Sequence, residues 1–140
     1  YLSLGAEYTR VNPFVYSNLI PAQTFTSYNF SLGDWMGNNF DRAILFAKYT
    51  PIAKLKLVAR YQKIRKGGAG SIYEQYAVQP QPVFLFDYIK TRSDIFLQAR
   101  YEYINNIYLT SSLTLMQTKL ANDALIKDNT YQLGISVGLP

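Results

Sequence analysis

Apolar and polar residues alternate with a period of two along most of this chain, and this pattern constrains the fold more than any other feature. Six segments show the alternation, over residues 2–9, 41–50, 54–65, 94–103, 107–118 and 131–139. In a β-strand, such alternation places apolar side chains on one face and polar side chains on the other. We therefore predict an all-β fold with about six strands of roughly ten residues each.

The segments between the predicted strands differ in length. Short connections are predicted at 51–53 and at 105–106, where two asparagines suit a tight hairpin turn. Long connections are predicted at 12–40, 66–93 and 119–129. Long loops alternating with short turns are typical of transmembrane barrels, whereas a compact soluble domain rarely carries several loops longer than about 12–15 residues. The pattern predicts an antiparallel up-and-down meander.

Tyrosine is unusually frequent, with 13 Tyr beside 8 Phe and 1 Trp. On the predicted apolar face, one group of tyrosines falls at the loop ends of the strands and another at the turn ends. The first group is Tyr8, Tyr61 and Tyr131, and the second is Tyr49, Tyr101 and Tyr103. Two such bands are typical of the aromatic girdles at the interfaces of a membrane barrel. A β-sandwich is the alternative, although its inner faces would more often be rich in Val, Ile and Phe.

Six strands cannot close a membrane barrel, because the smallest single-chain barrels have about eight. We therefore expect residues 1–140 to be the C-terminal fragment of one larger outer-membrane β-barrel domain, with the remaining strands upstream of Tyr1. The predicted location is the bacterial outer membrane, and the predicted partner is its lipid bilayer.

Composition excludes several kinds of chemistry. The chain has no Cys and no His, so thiolate catalysis and Cys-based zinc sites are excluded and the commonest general base is missing. We predict no catalytic residue, no metal ligand and no cofactor. The excess of 14 Lys and Arg over 9 Asp and Glu, a net charge of +5, favours an anionic partner such as acidic polysaccharide. No nucleic-acid-binding motif accompanies it, so no nucleic-acid partner is predicted.

The first long connection and the segment after it carry a distinctive set of short motifs. They are Pro13-Phe14-Val15-Tyr16-Ser17, Leu32-Gly33 followed by Gly37, Asn39-x-Asp41, Tyr49-x-Pro51, and Arg60-Tyr61 running into Arg65-Lys66-Gly67. Over residues 7–68 this pattern resembles the Wzi-like capsule assembly family, particularly its relatives from the Bacteroidetes. One departure is Asn38, where the family often has Pro. The resemblance implies an outer-membrane barrel of about eighteen strands. It also implies a non-enzymatic, lectin-like anchor for capsular polysaccharide.

Candidate ligand-binding residues come from the polar side of the strands and from the first long connection. They are Arg42, Arg60, Arg100, Trp35, Tyr16 and Tyr28. Guanidinium groups could bind the carboxylates of an anionic sugar, or they could pair with acidic residues across strands. The aromatic rings could stack on sugars, or they could pack the loop down as a plug. The alternative function is a porin or transporter barrel that conducts solutes through a basic polar lumen.

Overall fold

The computed structural model describes residues 1–20, 26–27 and 30–138. Its elements in chain order are β1 (Leu2–Val11), β2 (Thr26–Ser27), β3 (Phe30–Ser31), β4 (Phe40–Ile52), β5 (Leu55–Lys66), α1 (Ile72–Tyr76), β6 (Lys90–Ile104), β7 (Ile107–Leu120) and β8 (Leu125–Val137). The six long strands form one sheet in the order β1-β4-β5-β6-β7-β8, and each pairs antiparallel with its neighbours. This confirms the predicted all-β antiparallel meander.

The sheet is open, with β1 and β8 at its two edges. Strands β2 and β3 form a separate two-stranded sheet within the first connection. The short helix α1 lies in the second connection, where a capping box between Ser71 and Glu74 begins it. None of the helical structure in the described ranges is long and apolar enough to cross a membrane.

The connections partly differ from the predicted ones. The first hairpin turns at residues 53–54, because β4 continues through Pro51 to Ile52, and the two asparagines at 105–106 form the predicted two-residue turn, with Asn106 at φ 65°. The predicted long connection at 119–129 is wrong, since only residues 121–124 join β7 to β8. In the first half of β8, Lys127 and Asn129 lie on the same face of the sheet as Leu113 and Tyr131. Apolar and polar residues therefore do not alternate there as they do in the other strands.

The strand register separates two faces of the sheet. Across the six strands, successive partners in one row are Leu4, Ala47, Ala59, Leu97, Leu113 and Tyr131. Side chains of this row, and of rows an even number of residues away, form what we call the apolar face. The adjacent row consists of Ser3, Lys48, Val58, Gln98, Ser112 and Gln132. Its side chains belong to the opposite, polar face.

Burial is concentrated at the end of the sheet where the two long loops lie, which we call the loop end. Phe14, Phe40, Asn38 and Asn39 are buried there, and Phe40 and Asn39 are 0% exposed. The apolar face is exposed, with Leu4 at 72% and the centrally placed leucines of β6 and β8 also exposed. The sheet therefore leaves its most apolar surface uncovered and packs its loops around polar groups.

Candidate functional site

Asn39 joins the two long loops at the loop end of the sheet. Its side-chain amide donates to the carbonyl oxygens of Gly68 at 2.8 Å and Phe86 at 3.1 Å, and its Oδ1 accepts from the backbone amide of Leu85 at 2.7 Å. Its backbone carbonyl accepts from the amide of Gly67 at 2.9 Å. Asn39 has φ 53°, a conformation that Asn tolerates better than most residues. One buried side chain thus fixes the second loop to the start of β4.

Aromatic packing reinforces this junction. The rings of Phe14 and Phe86, one from each loop, stack with centroids 5.6 Å apart. Gly70 has φ +73°, and a Cβ atom there would meet the Phe86 ring at 2.8 Å. The Asn38 side chain also donates to the carbonyl of Ala69 at 3.0 Å. We call this assembly of Phe14, Asn38, Asn39, Gly70 and Phe86 the loop cluster.

The predicted sugar-stacking residues occupy different environments in the first loop. Trp35 is 74% exposed and precedes Asn38 of the loop cluster by three residues, so its ring is accessible. The Tyr16 hydroxyl accepts from the Asp34 amide at 3.2 Å, and its ring lies against Gly33. Tyr16 therefore braces the loop that carries Trp35. Tyr28 lies outside the described residues.

The three candidate arginines all lie on the polar face, each with a partner of its own. Arg42 forms an ion pair with Glu7 at 3.1 Å, while its Nε is buried without a hydrogen-bond partner among the described residues. The guanidinium of Arg60 lies 5.5 Å from the centroid of the Phe96 ring, and that of Arg100 lies 4.0 Å from the centroid of Tyr108. Contacts with residues of neighbouring strands therefore partly stabilise the positive charges of these arginines.

The register keeps these arginines apart. Arg42 is paired with Ile64, four residues from Arg60 on β5, and Arg100 is paired with Lys56, four residues from Arg60 in the other direction. At about 3.3 Å per residue, each step is about 13 Å along the strands. The arginines thus form a ladder rather than a single pocket. Arg100 lies near the end of the sheet that carries the short hairpin turns at 53–54 and 105–106, which we call the turn end, and Trp35 belongs to the loop end.

Five of the six candidate girdle tyrosines lie on the apolar face, as their positions in the register require. Tyr8, Tyr49, Tyr61, Tyr101 and Tyr131 are all exposed. Tyr103 instead falls within the register shift between Glu102 and Ile104, so the alternation from Tyr101 does not fix its face.

The two bands of tyrosines both incline across the sheet. The register row that starts at Tyr8 on β1 ends at Lys127 on β8, about 24 Å away across the sheet. Tyr131, the tyrosine of this band on β8, lies four residues from Lys127 toward the turn end, a shift of about 13 Å along the strand. The row of Tyr49 reaches β6 at Ala99, and Tyr101 lies two residues closer to the turn end. Both bands thus slope in the same direction, by about 30–35°.

Charged side chains border the apolar face at its loop end, and the sequence alone does not reveal their pairing. Asp41 accepts hydrogen bonds from both Nε and Nη2 of Arg65, and the Tyr8 hydroxyl donates to its Oδ2 at 3.2 Å. In the β7–β8 turn, Asp123 forms an ion pair with Lys119 at 2.8 Å. The hydrogen bond and positive charge of Lys119 lower the pKa of the Asp123 carboxyl.

Two kinds of residue in these surroundings escaped the sequence-based prediction. The importance of Asn39 follows from its positive φ and from partners 29 to 47 residues away, which local patterning does not report. Lys63 and Lys127 share one row only because of the register across four strands.

Over the described ranges, no cluster of three or more acidic side chains is suited to hold a metal ion. Comparisons with protein-family models, curated proteins and solved structures found no match.

Proposed function

We propose that this chain forms part of a non-enzymatic outer-membrane β-barrel that binds anionic surface polysaccharide through its polar face and loop cluster. The apolar face contacts lipid, and the polar face lines the interior. The observation that carries the proposal is the common slope of the two tyrosine bands across an exposed apolar face.

The slope supports the membrane placement because strands in membrane barrels tilt by about 35–45° from the barrel axis. A girdle that is level with the membrane must therefore cross successive strands at shifted register positions. The tyrosine bands shift in one direction at both ends of the sheet, by about 30–35°. A water-exposed sheet has no reason to keep two such parallel bands. Monomeric soluble proteins also rarely expose apolar patches this extensive.

Polysaccharide binding is supported by the cations of the polar face. Lys48, Lys56, Arg60 and Arg100 are all exposed there, whereas Glu7 is already paired with Arg42. Guanidinium and ammonium groups form charge-assisted hydrogen bonds with sugar carboxylates. At the loop end, the exposed Trp35 ring offers a flat surface for the less polar side of a sugar.

The membrane placement is tested with two neighbouring residues of β6. Leu97 lies on the apolar face and Gln98 on the polar face. In membrane barrels, an outward-facing Arg near the midplane costs about 2–4 kcal/mol. We expect Leu97→Arg to impair assembly of the intact protein, measured by heat-modifiable gel migration, and Gln98→Arg to assemble normally. Equal tolerance of both substitutions would refute the assignment of the faces.

Ligand binding is tested with the intact protein and matched acidic and neutral polysaccharides. We expect retention of the acidic polymer to exceed that of the neutral one and to fall as ionic strength rises, because salt screens exposed charges over about 8 Å at 0.15 M. Trp35→Ala and an Arg60→Gln/Arg100→Gln double variant should each weaken binding. Unchanged binding in both variants would refute the site.

A solute-conducting barrel is the second candidate, and the ladder of arginines favours it. Cations spaced about 13 Å apart along a lumen could pass an anion from one to the next, rather than hold one ligand. Single-channel recordings discriminate the two functions. Anion-selective conductance that Arg60→Gln reduces, without polysaccharide retention, would support conduction.

A further inference from the structure

A pair of lysines lies on the loop side of the tyrosine band of the apolar face, Lys63 two residues from Tyr61 and Lys127 four residues from Tyr131. Lys63 on β5 and Lys127 on β8 belong to one register row, with Ser93 and Gln117 between them. Three strand spacings of about 4.8 Å separate their backbones by about 14 Å. The long, flexible stems of both side chains can therefore converge above the polar residues between them.

These two lysines differ from the other cations on the same border. Arg65 is paired with Asp41, Lys119 is paired with Asp123, and Arg10 lies over the Phe84 ring at 3.9 Å. Lys63 and Lys127 are both exposed, and neither forms an ion pair within the described ranges. In this part of the chain, two positive charges beside an apolar surface therefore lack an ion-pair partner.

A groove joins Lys127 to the apolar face, and Lys63 lies outside its lining, paired in the register with the lining residue Ser93. It has a volume of about 470 Å³, and its lining includes Ile95 and Leu115 toward the apolar side and Ser93, Gln117 and Lys127 toward the loop end. Apolar walls below polar and cationic ones match an amphipathic molecule with an anionic head. The charge complementarity is specific to this end, because the apolar-face rows at the turn end contain only uncharged residues such as Leu55, Tyr101 and Leu109.

We propose that Lys63 and Lys127 bind the phosphate group of an anionic phospholipid in the leaflet on the loop side, with an acyl chain in the groove over Ile95 and Leu115. This inference rests on the proposed membrane placement of the apolar face and is independent of polysaccharide binding. Ammonium groups near an anionic membrane surface each contribute about 1 kcal/mol, a factor of about five in affinity. Loss of both lysines should therefore lower the preference for anionic lipid by about 25-fold.

The test uses the intact protein in bilayers of phosphatidylcholine that contain spin-labelled lipids with identical acyl chains. Electron paramagnetic resonance then measures the association of labelled phosphatidic acid relative to labelled phosphatidylcholine. The wild type should prefer phosphatidic acid, and the preference should fall with added salt. A Lys63→Gln/Lys127→Gln variant should lose most of the preference. A Lys48→Gln/Lys56→Gln variant, with the same charge change on the polar face, should retain it.

Each result discriminates a separate step. Insertion without a preference for phosphatidic acid, or an equal loss in both double variants, would overturn the lipid site but not the membrane placement. Failure of the wild type to insert would overturn both. Inorganic phosphate at matched ionic strength should compete poorly, because it lacks the acyl chain. If it abolishes the preference, the site takes phosphate in general and the assignment to a lipid is wrong.

Discussion

Replacing Asn39 should release the second long loop from the sheet. The side chain is 0% exposed and makes three hydrogen bonds, at 2.7, 2.8 and 3.1 Å. At about 1 kcal/mol net for each bond, Asn39→Ala should lower the free energy of opening the loop by about 3 kcal/mol. Ala at φ 53° adds about 1–2 kcal/mol, because the left-handed conformation is unfavourable for a residue with an ordinary Cβ.

Hydrogen exchange measures this effect directly at Leu85, whose amide donates to Asn39 Oδ1. A loss of about 3 kcal/mol corresponds to exchange about 150-fold faster at this amide. Asn39→Gly is the matched variant, since it removes the same hydrogen bonds but permits the positive φ. It should be less destabilising than Asn39→Ala. Unchanged exchange in both variants would show that the stacking of Phe14 on Phe86, rather than Asn39, holds the loop.

Two glycine pairs provide further predictions. Gly70→Ala should destabilise the loop cluster more than Gly37→Ala does, because both have positive φ but only a Cβ at Gly70 would meet neighbouring atoms. The difference between the two variants in hydrogen-exchange rate measures the cost of the steric clash at Gly70. Equal rates in both variants would mean that the clash costs nothing and that both lose only the backbone strain of about 1–2 kcal/mol. On the polar face, Gly5→Ala should disturb the edge pairing of β1, because its Cβ would meet the ring of Phe46, whereas Gly134→Ala meets nothing within 4 Å. Urea unfolding of the intact protein checks this difference, which equal midpoints would contradict.

The alternation of side chains was sufficient to predict the sheet, because the period of two is a property of each strand alone. The first half of β8 was missed since Lys127 and Asn129 interrupt the apolar pattern, and only pairing with β7 shows that they continue the strand. The ladder of arginines was also beyond local patterning. Residues 42, 60 and 100 were predicted on the polar side, but their spacing depends on the register between strands. Asn39 depends on contacts across two loops, which no periodicity encodes.

The distribution of buried residues follows from what each face must contact. Within the described ranges, five of the nine buried residues are polar or charged, namely Asn38, Asn39, Asp41, Asp94 and Ser112. Buried polar groups are costly unless they are hydrogen-bonded, and Asn39, Asp41 and Asp94 each have such partners. Apolar side chains face outward instead, although exposing apolar surface to water is unfavourable. The membrane placement that we propose would account for both observations, because lipid would make the exposed leucines favourable and would leave the polar side as the one that can bind a ligand.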